Sequence, residues 1–229
     1  MLKRLGRDYA FPPVEFALKD PNGLLCAGAD LSVQRLLAAY RRGIFPWYSG
    51  DEPILWWSPD PRMVLYCDEL RVSRSLAKSI RNKGFEVRID SAFSKVTKAC
   101  AEPRKGEPGT WLGKDMQAAY LALHRAGHAH SFETWQADRL VGGLYGVAIG
   151  RAFFGESMFS RATDASKVAL VALVETLRER GLPMIDCQQR TPLLASLGAR
   201  EIPRRQFLRR LAALVNYPES PEHWIRVTA

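Results

Sequence analysis

Phe153-Phe154-Gly155-Glu156-Ser157-Met158-Phe159-Ser160, an apolar block over 165–177, and Met184-Ile185-Asp186-Cys187-Gln188 decide the reading of this chain. Together they predict strand, helix, strand. The first piece is aromatic and apolar but carries Glu156. The block from Val168 to Val174 is apolar almost all round, which predicts a buried helix. Gly181, with Leu182-Pro183 behind it, supplies the stop. The last piece is short and ends Asp186-Cys187-Gln188. A carboxylate and an amide at the end of a buried strand are costly unless paired. Strand ends in α/β sheets also face ligand crevices. Glu156, Asp186 and Gln188 are therefore expected to converge on one cleft.

Working outward, residues 128–136, 140–148 and 151–159 alternate and predict three antiparallel strands. Ala137-Asp138-Arg139 and Ile149-Gly150 supply their turns. Helices are expected over 71–83, 91–100 (with Ser91 as cap) and 114–126, and strands over 63–66 and 85–89. Residues 103–110 form a charged Pro/Gly loop leading to Trp111. Beyond 188, the pattern predicts a loop and short helix over 191–199. A helix over 202–215 follows, opened by Pro203 and carrying Arg204, Arg205, Arg209 and Arg210. Toward the N-terminus, 33–42 is amphipathic with Leu36, Leu37 and Tyr40 on one face, and Asp30 or Ser32 is its cap. Residues 1–30 read as turns over short apolar pieces. The fold class is thus α/β (α+β). A mixed-sheet domain over 63–229 follows a small irregular N-terminal domain over 1–62. The order helix, antiparallel strands, helix, strand is that of an acetyltransferase-like (GNAT) fold.

The 229 residues are 47% hydrophobic, enough for a real core, and carry a net charge of +9, which favours a polyanionic partner. The longest uncharged run, 140–150, is too short and too rich in glycine to cross a bilayer. The basic N-terminus (Lys3, Arg4, Arg7) meets Asp8 and Pro12-Pro13 before any apolar signal core forms, so a cytoplasmic protein is expected. Cys26, Cys67, Cys100 and Cys187 show no CxxC spacing.

Trp47, Trp56 and Trp57 stand among Pro46, Pro53, Pro59 and Pro61, a punctuation that predicts a rigid irregular loop. Core packing and a stacking platform for a base are the competing readings. Arg71, Arg74, Lys78 and Arg81 recur at spacings that align them on one helix face. A solvated face and a contact with an RNA backbone compete there.

Several apparent motifs fail on their details. Gly155-Glu156-Ser157-Met158-Phe159 lacks the final glycine of a nucleophile elbow. Cys187 has no histidine after it before His223 to activate it. His124, His128 and His130 are interrupted by Gly127, and Arg125 stands where a metalloprotease helix carries glutamate. Arg161-Ala162-Thr163-Asp164-Ala165 has no glycine and one acid, which argues against a coenzyme A pyrophosphate loop. No metal and no cofactor are expected.

The same chain resembles the leucyl/phenylalanyl-tRNA–protein transferase family. Phe11-Pro12-Pro13, Pro21-Asn22-Gly23-Leu24-Leu25, Gly43-Ile44-Phe45-Pro46-Trp47 and Ile54-Leu55-Trp56-Trp57-Ser58-Pro59-Asp60-Pro61-Arg62 carry the resemblance in the first quarter. Gly109-Thr110-Trp111, Gly142-Gly143-Leu144-Tyr145-Gly146, Phe154 to Ser160 and Ile185 to Gln188 carry it onward. The resemblance implies a GNAT-like domain that moves Leu, Phe or Met from aminoacyl-tRNA to proteins beginning with Arg or Lys, marking them for N-end-rule degradation. It implies Trp47 and Trp111 at the tRNA's terminal adenosine, and Glu156, Asp186 and Gln188 as the catalytic cleft. It implies Leu144, Met158, Leu170, Leu173 and Ile185 around the transferred side chain. A monomer acting without membrane or cofactor is expected, with Arg71, Arg74, Lys78 and Arg81 on the tRNA backbone. The chain departs from the family's pattern at Leu173, where an aromatic residue is usual, and near Leu193, where a histidine is usual. Ala29 also stands where a second glycine is usual. Two other functions are compatible with the residues: a non-catalytic RNA-binding module, and a cell-wall-type aminoacyl-tRNA-dependent transferase.

Overall fold

The computed structural model describes residues 2–6, 8–50, 52–103 and 110–217. Most of the charged loop expected over 103–110, Arg7 and His223 lie outside the described residues. The N-terminal stretch forms a four-stranded sheet rather than a succession of turns. Its strands are β1 (Lys3–Arg4), β2 (Leu24–Ala27), β3 (Phe45–Pro46) and β4 (Leu55–Trp57), in the order β1-β2-β4-β3. Strands of two to four residues are too short to show a period, so this sheet is invisible locally. Helix α1 (Val33–Tyr40) sits between β2 and β3, and Ser32 caps it by accepting from the Arg35 N–H.

The chain then enters a seven-stranded sheet. Its members are β5 (Arg62–Tyr66), β6 (Glu86–Ile89), β7 (Ala129–Gln136), β8 (Arg139–Ile149), β9 (Ala152–Ser160), β10 (Met184–Gln188) and β11 (Arg200–Ile202). The order is β11-β5-β10-β9-β8-β7-β6. The β9–β10 pair is parallel and its neighbours are antiparallel, so the sheet is mixed. Helix α5 (Ala165–Glu179) makes the crossover that a parallel pair requires. The expected strand–helix–strand unit is therefore β9, α5 and β10. Ala137 and Asp138 both take positive φ, 46° and 57°, in the β7–β8 hairpin. Such a turn matches the twist of its flanking strands.

The remaining helices are α2 (Arg74–Asn82), α3 (Phe93–Cys100), α4 (Lys114–Arg125), α6 (Pro192–Ser196) and α7 (Arg204–Leu214). Three differ from expectation in an informative way. Helix α2 starts late because the Ser73 hydroxyl accepts from the Leu76 N–H at 3.2 Å. Arg71 thus precedes the helix, and its own N–H bonds the Leu197 carbonyl. Helix α3 is not capped by Ser91. The buried Glu133 carboxylate of β7 takes the N–H groups of Ser91 and Ala92 at 3.3 and 3.0 Å. An acidic group from a neighbouring strand thus does the work of a cap. Ile202, expected in the last helix, closes β11 instead.

Residues of the seven-stranded sheet alternate between two cores. Val64, Tyr66, Tyr145, Val147 and Phe154 face one side, where Tyr40, Trp56, Tyr120 and Phe207 from the N-terminal unit, α4 and α7 pack on them. Met63, Leu65, Leu144, Phe153 and Ile185 face the other, under α5. Strand β8 approaches the start of α5 closely. A Cβ added to Gly142 would lie 2.5 Å from Ala165 Cβ and 2.7 Å from its carbonyl carbon. Because this neighbour is backbone at a helix start, Gly142→Ala should destabilise the fold by about 1–3 kcal/mol. Urea denaturation checks the figure, and an unchanged midpoint would refute the close packing.

Candidate active site

A cavity of about 460 Å³ opens where the N-terminal sheet meets β8, β9, β10 and α5. Trp47, Trp111, Glu156 and Gln188 all line it, as do Leu144, Met158, Leu170, Leu173 and Ile185. The structure thus gathers every sequence-predicted cleft and pocket residue but one. The exception is Asp186, which is 1% exposed and lies behind the cavity wall. Arg71, Arg74, Lys78 and Arg81 are exposed and none lines the cavity. Phe45, Tyr145, Thr191, Leu193 and Leu194 line it without having been singled out for it.

The four tryptophans among these elements divide cleanly. Trp56 is fully buried against the edge of Phe11 and donates to the Gly28 carbonyl at 2.9 Å. Trp57 is also core, and its indole N–H donates to the Trp47 carbonyl at 2.6 Å. Trp47 itself stays 39% exposed, its ring edge-on to Trp57. The Tyr48 hydroxyl donates to the Asp115 carboxylate in a short bond, which ties the loop of Trp47 to the start of α4 just after Trp111. The two wall tryptophans are held by one cross-link.

Asp186 forms a two-pronged ion pair with Arg62, at 2.8 Å to Nε and 2.7 Å to Nη2. Both partners are buried, and the guanidinium stacks 4.8 Å from the rings of both Phe45 and Phe207. Asp186 Oδ1 also accepts the Gln188 backbone N–H at 2.9 Å. That bond holds a bulge: Asp186 pairs with Val64, Gln188 with Met63, and Cys187 is the extra residue. Gln188 takes φ +63° there. A bulge re-aims the side chain that follows it, and Gln188 turns into the cavity, where its Nε2 donates to Glu156 Oε1 at 2.9 Å.

Glu156 receives two more donors. The Tyr40 hydroxyl reaches Oε1 at 2.8 Å and the Tyr120 hydroxyl reaches Oε2 at 2.5 Å. Burial pushes the Glu156 carboxyl up to about 7, against the pull of these two hydroxyls. Burial, with the adjacent Glu156 charge, raises both tyrosines well above their ordinary value. Sequence patterning read Tyr40 only as part of an apolar face, and Tyr120 and Arg62 carried no role. A hydroxyl at a core position and an arginine inside an apolar strand were the available signals.

The start of α5 is a poor seat for a pyrophosphate. The Asp164 carboxylate stands at that helix N-terminus, holding the Ser79 hydroxyl at 2.7 Å and the Lys167 ammonium at 3.0 Å. A second anion there would face an existing one. The histidines are bound within the fold: His124 Nδ1 lies 2.7 Å from the Ala129 carbonyl and His130 Nδ1 2.7 Å from Asp90.

Two family models match the chain, both described as leucyl/phenylalanyl-tRNA protein transferase. One covers residues 64–212 and the other, its N-terminal domain, residues 29–60. A relative from Thiobacillus denitrificans, named leucyl/phenylalanyl-tRNA–protein transferase, is 64% identical over 93% of this chain and 94% of its own length. A relative of the same name from Chromobacterium violaceum is 59% identical over 98% and 96%. Among solved structures, a GCN5-related N-acetyltransferase from Kribbella flavida matches 72% of this chain and 58% of its own. It does so at 11% identity and a TM-score of 0.38.

The buried ion pair is testable by itself. Arg62→Ala leaves the Asp186 carboxylate buried without its partner and should cost about 3–5 kcal/mol of stability. The exposed control Arg74→Ala should stay within about 0.5 kcal/mol. Urea midpoints of the two variants decide it, and equal midpoints would mean that the pair contributes nothing.

Proposed function

Since the chain belongs to the leucyl/phenylalanyl-tRNA–protein transferase family, and is by that an aminoacyltransferase, we propose how its cavity carries the reaction. One observation supports the reading above others: a single cavity joins two tryptophans, an apolar end and a hydrogen-bonded Glu156–Gln188 pair. The terminal adenosine of an aminoacyl-tRNA stacks at Trp47 and Trp111. The leucyl, phenylalanyl or methionyl side chain fills the end lined by Leu144, Met158, Leu170, Leu173 and Ile185. The ester between them then lies beside Gln188.

The acceptor is the α-amine of a protein beginning with Arg or Lys. Such an amine has a pKa of about 7.7–8.0, so a useful fraction is neutral near pH 7. Its nitrogen attacks the ester carbonyl, the C–N bond forms and the bond to the ribose oxygen breaks. The proton lost by the amine ends on that oxygen. The ester is already activated, so positioning supplies most of the rate and proton handling the rest. The Gln188 carbonyl oxygen receives the amine N–H, and Glu156 offsets the positive charge that the acceptor brings. Asp186 acts behind them, as the anchor of the bulge. The tRNA's own hydroxyl is a second route for the proton.

Residues 1–62 are read as the unit that brings Trp47 and Tyr40, and 63–229 as the sheet domain. Arg71, Arg74, Lys78 and Arg81 are assigned to the tRNA phosphates, by charge and exposure. A cytoplasmic monomer serving N-end-rule degradation fits this chemistry. No helix among the described residues is long and apolar enough to cross a membrane.

The test is transfer of labelled leucine from charged tRNA to a peptide beginning with Arg. Label should reach that peptide and not one beginning with Ala, and Gln188→Ala should lower kcat by about 10²-fold or more. Salt-sensitive tRNA binding without transfer would leave an RNA-binding module. Transfer to a cell-wall precursor in place of the Arg peptide would establish the other transferase class. Leu173 sets a second outcome. It makes the pocket roomier than an aromatic residue would, so Leu173→Phe should lower kcat/KM for phenylalanyl-tRNA relative to leucyl-tRNA by about 10-fold or more. An unchanged ratio would remove Leu173 from donor selection.

A further inference from the structure

Three oxygen-to-oxygen contacts close a ring beside the cavity. Tyr40 OH lies 2.8 Å from Glu156 Oε1, Glu156 Oε2 lies 2.5 Å from Tyr120 OH, and Tyr120 OH lies 3.0 Å from Tyr40 OH. Each hydroxyl carries one proton. With Glu156 ionised, two protons serve three contacts. Both then point at the carboxylate, and the two hydroxyl oxygens face each other without a donor. With Glu156 protonated, three protons serve three contacts: Glu156 donates to Tyr120, Tyr120 to Tyr40, and Tyr40 back to Oε1. The ring therefore has two states that differ by one proton, and only the protonated one satisfies all three contacts. In both, Oε1 remains an acceptor for the Gln188 amide.

We propose that Tyr40 and Tyr120 are positioning residues for the transfer reaction. Closing the ring with Glu156, they aim its Oε1 at the Gln188 amide N–H and so keep the Gln188 carbonyl oxygen turned toward the incoming amine. The inference rests on the transferase reading above and deepens it. Among the described residues, no donor reaches that carbonyl oxygen, while the amide nitrogen is engaged. An amide whose N–H donates to an anion gains electron density on its oxygen. Ionised Glu156 is thus the more active state, and the ring sets the pH at which it ionises.

The groups that face Glu156 limit what else sets that pH. Tyr40 comes from α1, Tyr120 from α4, Tyr145 from β8, Asp186 from β10 and Arg62 from β5. Asp186 and Arg62 are paired with each other, so their opposing fields largely offset. Burial raises the carboxyl to about 7, and the two tyrosine hydroxyls hold it from going higher. Tyr40 belongs to the N-terminal unit, so that unit contributes to the reacting end of the cleft as well as to its tryptophan wall.

The experiment compares wild type with Tyr40→Phe, Tyr120→Phe and the double variant. Each change removes a hydroxyl and keeps the ring that packs. The fraction of ionised Glu156 rises with pH, so the rate falls on the acid side. Losing two donors to the carboxylate should move that acid limb upward by about one pH unit in the double variant. Near pH 6.5 kcat should fall about 10-fold, with KM for charged tRNA unchanged and most of the rate recovered by pH 8.5. The same Arg peptide serves all variants, so the limb from its amine is common to them. A ¹³C carboxyl titration, assigned with Glu156→Gln, follows the ionisation without any turnover. It should show a midpoint near 7 in wild type and a higher one in the double variant. An unmoved midpoint or acid limb overturns the inference, as does a loss of rate that is equal at every pH. A higher midpoint in the double variant, with no transfer by the wild type, would instead sink the transferase reading and leave the ring standing.

Discussion

The buried pair of Arg62 and Asp186 is the constraint on which the rest of the cleft depends. Burying two charges costs several kcal/mol each unless geometry and hydrogen bonds offset it. Here the guanidinium meets the carboxylate through two nitrogens and stacks on Phe45 and Phe207. The pair therefore gathers three remote parts of the chain: β3, the β5–β10 strand pair, and α7. Arg204 at the start of α7 adds a second tie, donating to the Ser58 carbonyl at 2.5 Å. The Trp/Pro block is thereby clamped between the sheet and the last described helix.

From that pair the order passes outward through single hydrogen bonds. Asp186 holds the Gln188 backbone in its bulge, Gln188 reaches Glu156, and Glu156 meets Tyr40 and Tyr120. Each member borrows its orientation from the one behind it. A polar network of this kind is costly when half satisfied and rigid when complete. Linked in this order, a glutamate, a glutamine and two tyrosines share a wall with an apolar pocket. The polar side is anchored from behind, which leaves Leu144, Met158, Leu170, Leu173 and Ile185 to shape the other end.

The cavity lies at the seam between the two sheets, where ligand sites commonly form. The N-terminal unit contributes Phe45, Pro46 and Trp47 to the wall, and the remainder comes from β8, β9 and β10, from α5 and α6, and from Trp111 ahead of α4. The seam is closed by Tyr48 on Asp115 as well as by Tyr40 on Glu156. Meanwhile the start of α5 is occupied by its own acid, Asp164, and crowded by Gly142. The crossover helix thus lends the cavity apolar side chains, Leu170 and Leu173, while the polar side chains gather at the seam.

Much of this was legible in the sequence by itself. Alternation over 128–159, the all-round apolar block at 165–177 and the short strand at 184–188 determined the β7–β10 unit, because local periodicity reports which faces are buried. Motif resemblance brought forward the residues that line the cavity. The tertiary structure alone decided the rest. Strands of two to four residues in the N-terminal sheet are stable only through partners far along the chain. The cap of α3 comes from Glu133, about forty residues on. Asp186 turns away from the cavity because Arg62, 124 positions earlier, claims both its oxygens. Tyr40 and Tyr120 look like core aromatics until their hydroxyls meet over Glu156. Periodicity records burial and cannot say which buried polar groups find one another, because that pairing is set by sheet order and register.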